Sequence, residues 1–166
     1  MNLIKHCTDQ CWDILANVAD PEIPVLSILD LGMVRGIELN ADEEIVVRLT
    51  PTYSGCPATD LLKQQISEAL HGAGFSPVNV VVDLSEAWST DWMSDSGKTK
   101  LKAYGIAPPG GDAHSCGSHM ALTDGIECPH CQSHDTQLLS EFSSTACKAL
   151  YRCQSCLEPF DYFKCI

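Results

Sequence analysis

Cys128-Pro-His-Cys131 is followed, after 21 residues, by Cys153-Gln-Ser-Cys156. No other feature of this 166-residue chain limits its folding so strongly. Two residues between paired cysteines let one tight turn aim both sulfurs at a single ion, and two such turns complete a tetrahedral set of thiolates. The intervening segments Thr136–Phe142 and Ala149–Arg152, with Phe160–Lys164, have strand character and can form an antiparallel ribbon. A tail of this size has too small a core to fold alone, and a bound metal makes up the deficit. The expected ion is a structural Zn2+ on Cys128, Cys131, Cys153 and Cys156. A mononuclear iron suits the same cage. A redox Cys-x-x-Cys reading uses one pair and leaves the other unexplained. Cys147 and Cys165 fall outside the pattern and read as small buried apolar residues. His130 and His134 stand beside the first pair, but four thiolates already saturate the ion. Cys116 with His114 and His119 is a weaker candidate for a second metal, because its Gly-rich setting makes a poor cage.

Ahead of the ribbon, residues 3–18 place Cys7, Cys11, Ile14, Leu15 and Val18 at helical spacing. Asp20-Pro-Glu-Ile-Pro24 ends that helix. Met33–Leu39 and Glu44–Leu49 read as a hairpin turned by Asn40-Ala41-Asp42. Thr50–Pro57 leads into a helix with Ala58, Leu61, Leu62, Ile66, Ala69 and Leu70 on its apolar face, closed by Gly72-Ala73-Gly74. Val78–Leu84, almost free of polar residues, reads as a central buried strand. A third helix runs from about Ser94 to Tyr104, with Gly105 at its end. The fold class is α+β: an α-β-β-α-β-α domain over residues 1–105, a Pro/Gly-rich linker over 106–122, and a zinc ribbon of antiparallel strands over 123–166.

Charge narrows the partners. Residues 1–122 carry 16 acidic and 7 basic side chains, net −9, and residues 123–166 carry 6 and 3, net −3. Neither part offers a basic patch, so nucleic acid is not an expected partner. No apolar run approaches the roughly 20 residues that span a bilayer, and the first residues lack a signal-peptide pattern, so a cytoplasmic protein off the membrane is expected. There is no nucleophile elbow, phosphate-binding loop or His-Glu-x-x-His motif, and no catalytic residue is assigned. Cys56, at a helix start, has N–H groups nearby that favour thiolate, and Asp20 and Glu22 sit on a proline-fixed loop that can approach it. Such a group can hold iron or zinc transiently. The plainer alternative has Cys56 buried at the helix start and Asp20 capping a turn.

Asp20-Pro-Glu-Ile-Pro-Val-Leu-Ser-Ile-Leu-Asp-Leu-Gly-Met-Val-Arg35, with Thr50-Pro-Thr-Tyr-Ser-Gly-Cys-Pro57, resembles the small α+β domain of SufT-type iron–sulfur assembly factors. Trp88-Ser-Thr-Asp-Trp-Met93, Leu101-Lys-Ala-Tyr-Gly-Ile-Ala-Pro-Pro109, Ser140–Arg152 and Glu158–Cys165 extend the resemblance to the D subunits of bacterial phenylacetyl-CoA epoxidase systems. The resemblance implies a non-catalytic accessory protein of aerobic phenylacetate degradation. Such a protein would assist assembly or repair of an iron or iron–sulfur centre, with the oxygenase and reductase components as partners. It further implies that Cys56, with Asp20 and Glu22, contacts transient iron or a client cluster. A stoichiometric, non-catalytic subunit of the oxygenase is the alternative. A Cys56-dependent thioester hydrolase lacks a base.

Overall fold

The computed structural model describes residues 2–110 and 125–165, with side chains from residue 6 onward. The candidate group Cys116, His114 and His119, and most of the expected linker, lie outside the described residues. Two compact units make up the chain, Met1–Trp88 and Ser89–Ile166.

The first unit opens with helix α1, Asn2–Leu15. Cys11 and Leu15, one turn apart, are fully buried. The helix stops before Val18, whose N–H donates to the Leu15 carbonyl as the chain turns into the proline loop. That loop is held by its own acids. The Asp20 carboxylate accepts the N–H groups of Glu22 and Ile23 at 2.9 and 2.8 Å. The Asp30 carboxylate accepts both the N–H and the hydroxyl of Ser27 at 3.0 Å. Prolines remove backbone donors, so these side chains supplement the few backbone bonds that close the loop, Asp20 N–H to the Leu26 carbonyl and Ile28 N–H to the Val18 carbonyl.

Strand β1, Val34–Leu39, pairs antiparallel with β2, Ile45–Leu49. Helix α2, Thr59–Gly72, carries the chain back to β3, Val78–Val82, which runs parallel to β2. The order β1-β2-β3 puts β2 at the centre, with Ile45, Val47 and Leu49 buried. This corrects the expectation that Val78–Leu84 is the central strand. Among the described residues β3 is an edge: only Val80 is buried along it, and Val81 and Leu84 are exposed. A hydrophobic run without alternation does not say whether both faces are covered. Leu62, Ile66 and Leu70 of α2 are completely buried, each worth about 1.5–3 kcal/mol of transfer free energy, whereas Leu61, expected on the same face, is exposed.

The second unit begins with a 3-10 turn at Thr90–Trp92 and helix α3, Asp95–Tyr104. Ser94 caps α3 by accepting the Gly97 N–H, and Gly105 ends it in the left-handed region at φ 91°. Strand β4, Ile106–Ala107, follows directly and pairs parallel with β7, Pro159–Phe163. Strands β5, Thr136–Ser140, and β6, Lys148–Cys153, complete a sheet of order β4-β7-β6-β5. The antiparallel ribbon is present as expected. The start of the expected linker, however, is a strand. Ile106 and Ala107 are buried, so their apolar side chains outweigh the breaking tendency of the prolines that follow. Tyr151 stacks on Phe160 and meets Tyr162 edge-on, over a small core with Ala107, Cys128 and Cys153.

Candidate functional sites

Two groups of side chains carry chemistry, one in each unit. In the ribbon, each Cys-x-x-Cys pair forms a tight knuckle. The Cys128 N–H donates to the Ser133 carbonyl and the Gln132 N–H to the Cys128 carbonyl, both at 2.9 Å. The Cys153 N–H donates to the Glu158 carbonyl at 3.0 Å, and the Cys156 N–H reaches the Cys153 sulfur at 3.4 Å. The residue after each second cysteine, Gln132 at φ 65° and Leu157 at φ 67°, takes the left-handed conformation that folds the turn back. The Ser133 and Ser155 hydroxyls join the two knuckles at 2.8 Å.

The four ligand atoms lie within 4.8 Å of one another, with Cys128–Cys156 Sγ atoms at 3.8 Å and Cys131–Cys153 Sγ atoms at 3.5 Å. Thiolates bound tetrahedrally at about 2.3 Å from an ion stand about 3.8 Å apart, so the donor set and its spacing fit a four-coordinate metal. The thiols share their ionisation unequally. The Cys156 N–H draws the Cys153 thiol down to about 6. Cys156 receives the Glu158 N–H, yet burial and its thiol neighbours push it up to about 12. A cation at the centre removes that inequality. Cys128 and Cys153 are buried and Cys131 is exposed. His130 and His134 are exposed and outside the cluster. Cys147 is buried as expected, with its sulfur 3.1 Å from the Thr145 hydroxyl. Cys165 departs from that reading, because it is disulfide-bonded.

Sequence spacing gave no sign of a polar group in the same unit. Lys148, 5% exposed, pairs with Asp161 at 3.4 Å, and Asp161 also accepts the Ser143 hydroxyl. The antiparallel pairing of β6 with β7 brings Lys148 and Asp161 together, and the Ser143 N–H donates to the Lys148 carbonyl at 3.0 Å.

In the first unit, Cys56 precedes α2. Its N–H donates to the Tyr53 carbonyl at 3.1 Å, and its carbonyl accepts both the N–H and the hydroxyl of Thr59. Ala58, at the cap position, supplies no side-chain acceptor, and the Cys56 sulfur takes the Ala58 N–H instead. The half-buried thiol feels Glu22 and Asp20. Burial pushes its pKa above the usual 9.0; the Ala58 N–H and the Tyr53 hydroxyl pull it down, and Glu22 and Asp20 raise it further. Burial and two carboxylates thus outweigh the helix start, and the thiol is held up where the helix position alone led to the expectation of a thiolate. Asp20 does cap its turn, and Cys56, Asp20 and Glu22 make no closed cage. Among the described residues, only the four ribbon cysteines bring their ligand atoms together in that way. Tyr53, which sequence reasoning missed, stands three residues before Cys56 and bonds its sulfur.

An α-β-β-α-β domain with a cysteine before its second helix, joined in one chain to a four-thiol ribbon, defines a two-module protein whose second module has the donor set of a metal-binding ribbon. Residues 8–82 match the iron-sulfur cluster assembly protein family and residues 112–164 match the PaaD zinc beta ribbon domain. The Escherichia coli protein described as the D component of 1,2-phenylacetyl-CoA epoxidase is 55% identical over 157 residues, covering 95% of this chain and 92% of that protein. The chain belongs to the PaaD family of phenylacetyl-CoA epoxidase systems. An Fe-S protein maturation auxiliary factor of Porphyromonas gingivalis is 30% identical over 89 residues, covering 53% of this chain and 84% of that protein. The fold of the first part is shared with a domain of unknown function, DUF59, from Bacillus anthracis. Its TM-score is 0.56 at 24% identity, over 60% of this chain and 95% of that one. No helix among the described residues is long and apolar enough to cross a membrane.

Proposed function

We propose that this protein is a non-catalytic maturation factor of a phenylacetyl-CoA epoxidase system, assisting the assembly or repair of an iron or iron–sulfur centre in its oxygenase or reductase. The observation that carries the reading is the placement of Cys56. Within a segment matching the iron–sulfur assembly family, its thiol lies in the electrostatic reach of Glu22 and Asp20. A soft sulfur with hard carboxylates beside it, and no closed cage, suits passing contact with iron better than permanent storage. Iron, or a cluster, is cargo in this reading.

The ribbon plays a different part. Four thiolates would hold Zn2+ as a resident structural ion, whose chemistry here is to join the two knuckles. The chain's own residues prepare that site: the N–H groups of Cys156 and Glu158 reach sulfur atoms, and the Ser133–Ser155 pair fixes the knuckles against each other.

The test is to produce the oxygenase and reductase components with and without this protein. It is then removed, and iron content and phenylacetyl-CoA turnover are measured for each component. Iron-poor, inactive components in its absence support maturation, and the deficient component names the client. Equal loading and activity overturn it. The related protein from Escherichia coli is described as a subunit. Co-purification with the oxygenase at a fixed ratio, with equal iron loading, would favour a stoichiometric structural role instead.

A further inference from the structure

Strand β5 contributes little to the core. Thr136 is partly buried, and Gln137, Leu138, Leu139 and Ser140 are all exposed. Leu138 and Leu139 are 44% and 50% exposed, and Phe142 just beyond is 62% exposed. β5 lies at the end of the sheet order, paired only with β6 among the described residues, with a bulge between Leu138 and Ser140. β4, at the other end, is two residues long and buried.

Edge strands of natural proteins are normally guarded by proline, by charge, or by shortness, because unpaired N–H and C=O groups recruit other strands. Within β5 there is neither proline nor charge, and the bulge after Leu138 is its one guard. Its sequence, Thr-Gln-Leu-Leu-Ser, is uncharged, five residues long and apolar at its centre. Charge appears only just outside it, at Asp135 and Glu141, both exposed.

That flanking charge selects the occupant. A second copy adding itself antiparallel about Leu138 would set each Asp135 against the other copy's Glu141. Like charges directly opposite destabilise a ladder, and a chain of net charge −12 repels its copies in any case. Two nearby cations offset this in part and leave the chain's net charge at −12. Lys164 is engaged by the Glu141 carbonyl at 3.1 Å and lies over the Phe142 ring, and Arg152 turns to the Leu157 carbonyl. A segment with lysine or arginine at both ends meets favourable charge at both ends.

We propose that the outer edge of β5 docks an extended segment of another protein, apolar at its centre and basic at both ends, as an added strand of the ribbon sheet. Backbone pairing supplies the affinity, Leu138 and Leu139 grip the apolar centre, and Asp135 and Glu141 select the flanks. The inference is independent of the maturation reading, since it concerns what the ribbon holds and not what Cys56 does.

The experiment is backbone amide hydrogen exchange on the full, zinc-loaded chain. It is run alone and with a synthetic peptide of alternating valine and threonine capped by lysines at both ends. A peptide with glutamates in place of the lysines is the control. The outward amides of residues 136–140 should exchange freely in the chain alone. They should gain about tenfold protection with the lysine peptide, lose that gain as salt rises, and show none with the glutamate peptide. Leu138→Lys should abolish the gain while leaving exchange in β6 and β7 unchanged. Three results overturn the proposal: no protection with the lysine peptide, protection already present in the dilute chain alone, or protection that grows with protein concentration. The second would mean that the chain's own residues cover the edge, and the third that a second copy does.

Discussion

The Cys56 thiol is held between opposed groups, with the Ala58 N–H and the Tyr53 hydroxyl on one side and Glu22 and Asp20 on the other. Replacing its sulfur by oxygen changes little in packing but removes the soft donor. Cys56→Ser should therefore leave the unfolding free energy, from denaturant titration, within about 0.5 kcal/mol of the parent. Iron loaded into the client component should fall by about tenfold or more, on the scale by which lost ligand-shell groups weaken metal affinity. Full maturation with the serine variant would remove Cys56 from the reading. The buried acids define a second behaviour. Burial, with Cys7 beside it, holds the Cys11 thiol above its usual 9.0, and burial holds the Tyr151 hydroxyl above its usual 10.0. Each group keeps its proton longer in the folded chain than in the unfolded one. Stability is therefore fully present below about pH 9 and declines as pH rises through 9 and then 10. Urea midpoints of the zinc-loaded protein at rising pH check this; a midpoint that climbs above pH 9 would contradict it. Of the residue-scale reading, the four ribbon cysteines were legible because their spacing alone fixes a turn. The ionisation of Cys56 was not, since helix position is local but the burial and carboxylates that override it come from a distant loop.

Among the elements, α1, the hairpin, α2 and α3 were readable from periodicity and turn residues. Val78–Val82 was readable as a strand but not as an edge, because apolar composition does not reveal how many faces are covered. Ile106–Ala107 was hidden by the prolines after it, since a two-residue parallel strand exists only through its distant partner β7. The short step from α3 into β4 depends on Gly105. Its φ of 91° is strained for any residue with a Cβ, and an added Cβ would stand 3.4 Å from the His130 ring. Gly105→Ala should cost about 1–2 kcal/mol. The loss should appear in the transition of the second unit, measured by exchange of the α3 amides, with the β1–β3 amides unaffected.

For the molecule as a whole, the division into Met1–Trp88 and Ser89–Ile166 sets different sources of stability side by side in one chain. The first unit rests on aliphatic burial such as Leu62, Ile66 and Leu70; the second surrounds a thiol cage with a small core. Chelation at neutral pH should therefore release protection across β5, β6 and β7 while the β1–β3 sheet keeps its own. Hydrogen exchange followed with and without a zinc chelator reads both units at once. Loss of protection in both together would show that the metal stabilises the whole chain and not the ribbon alone.

The pairing of β4 with β7 has a practical side for anyone who would transplant the thiol cage. A fragment trimmed to the motif, starting near residue 125, leaves β7 without its outer neighbour and Glu127 without Lys102, 2.9 Å away. The portable part begins near Ser89, at the capped turn, well ahead of the first metal ligand.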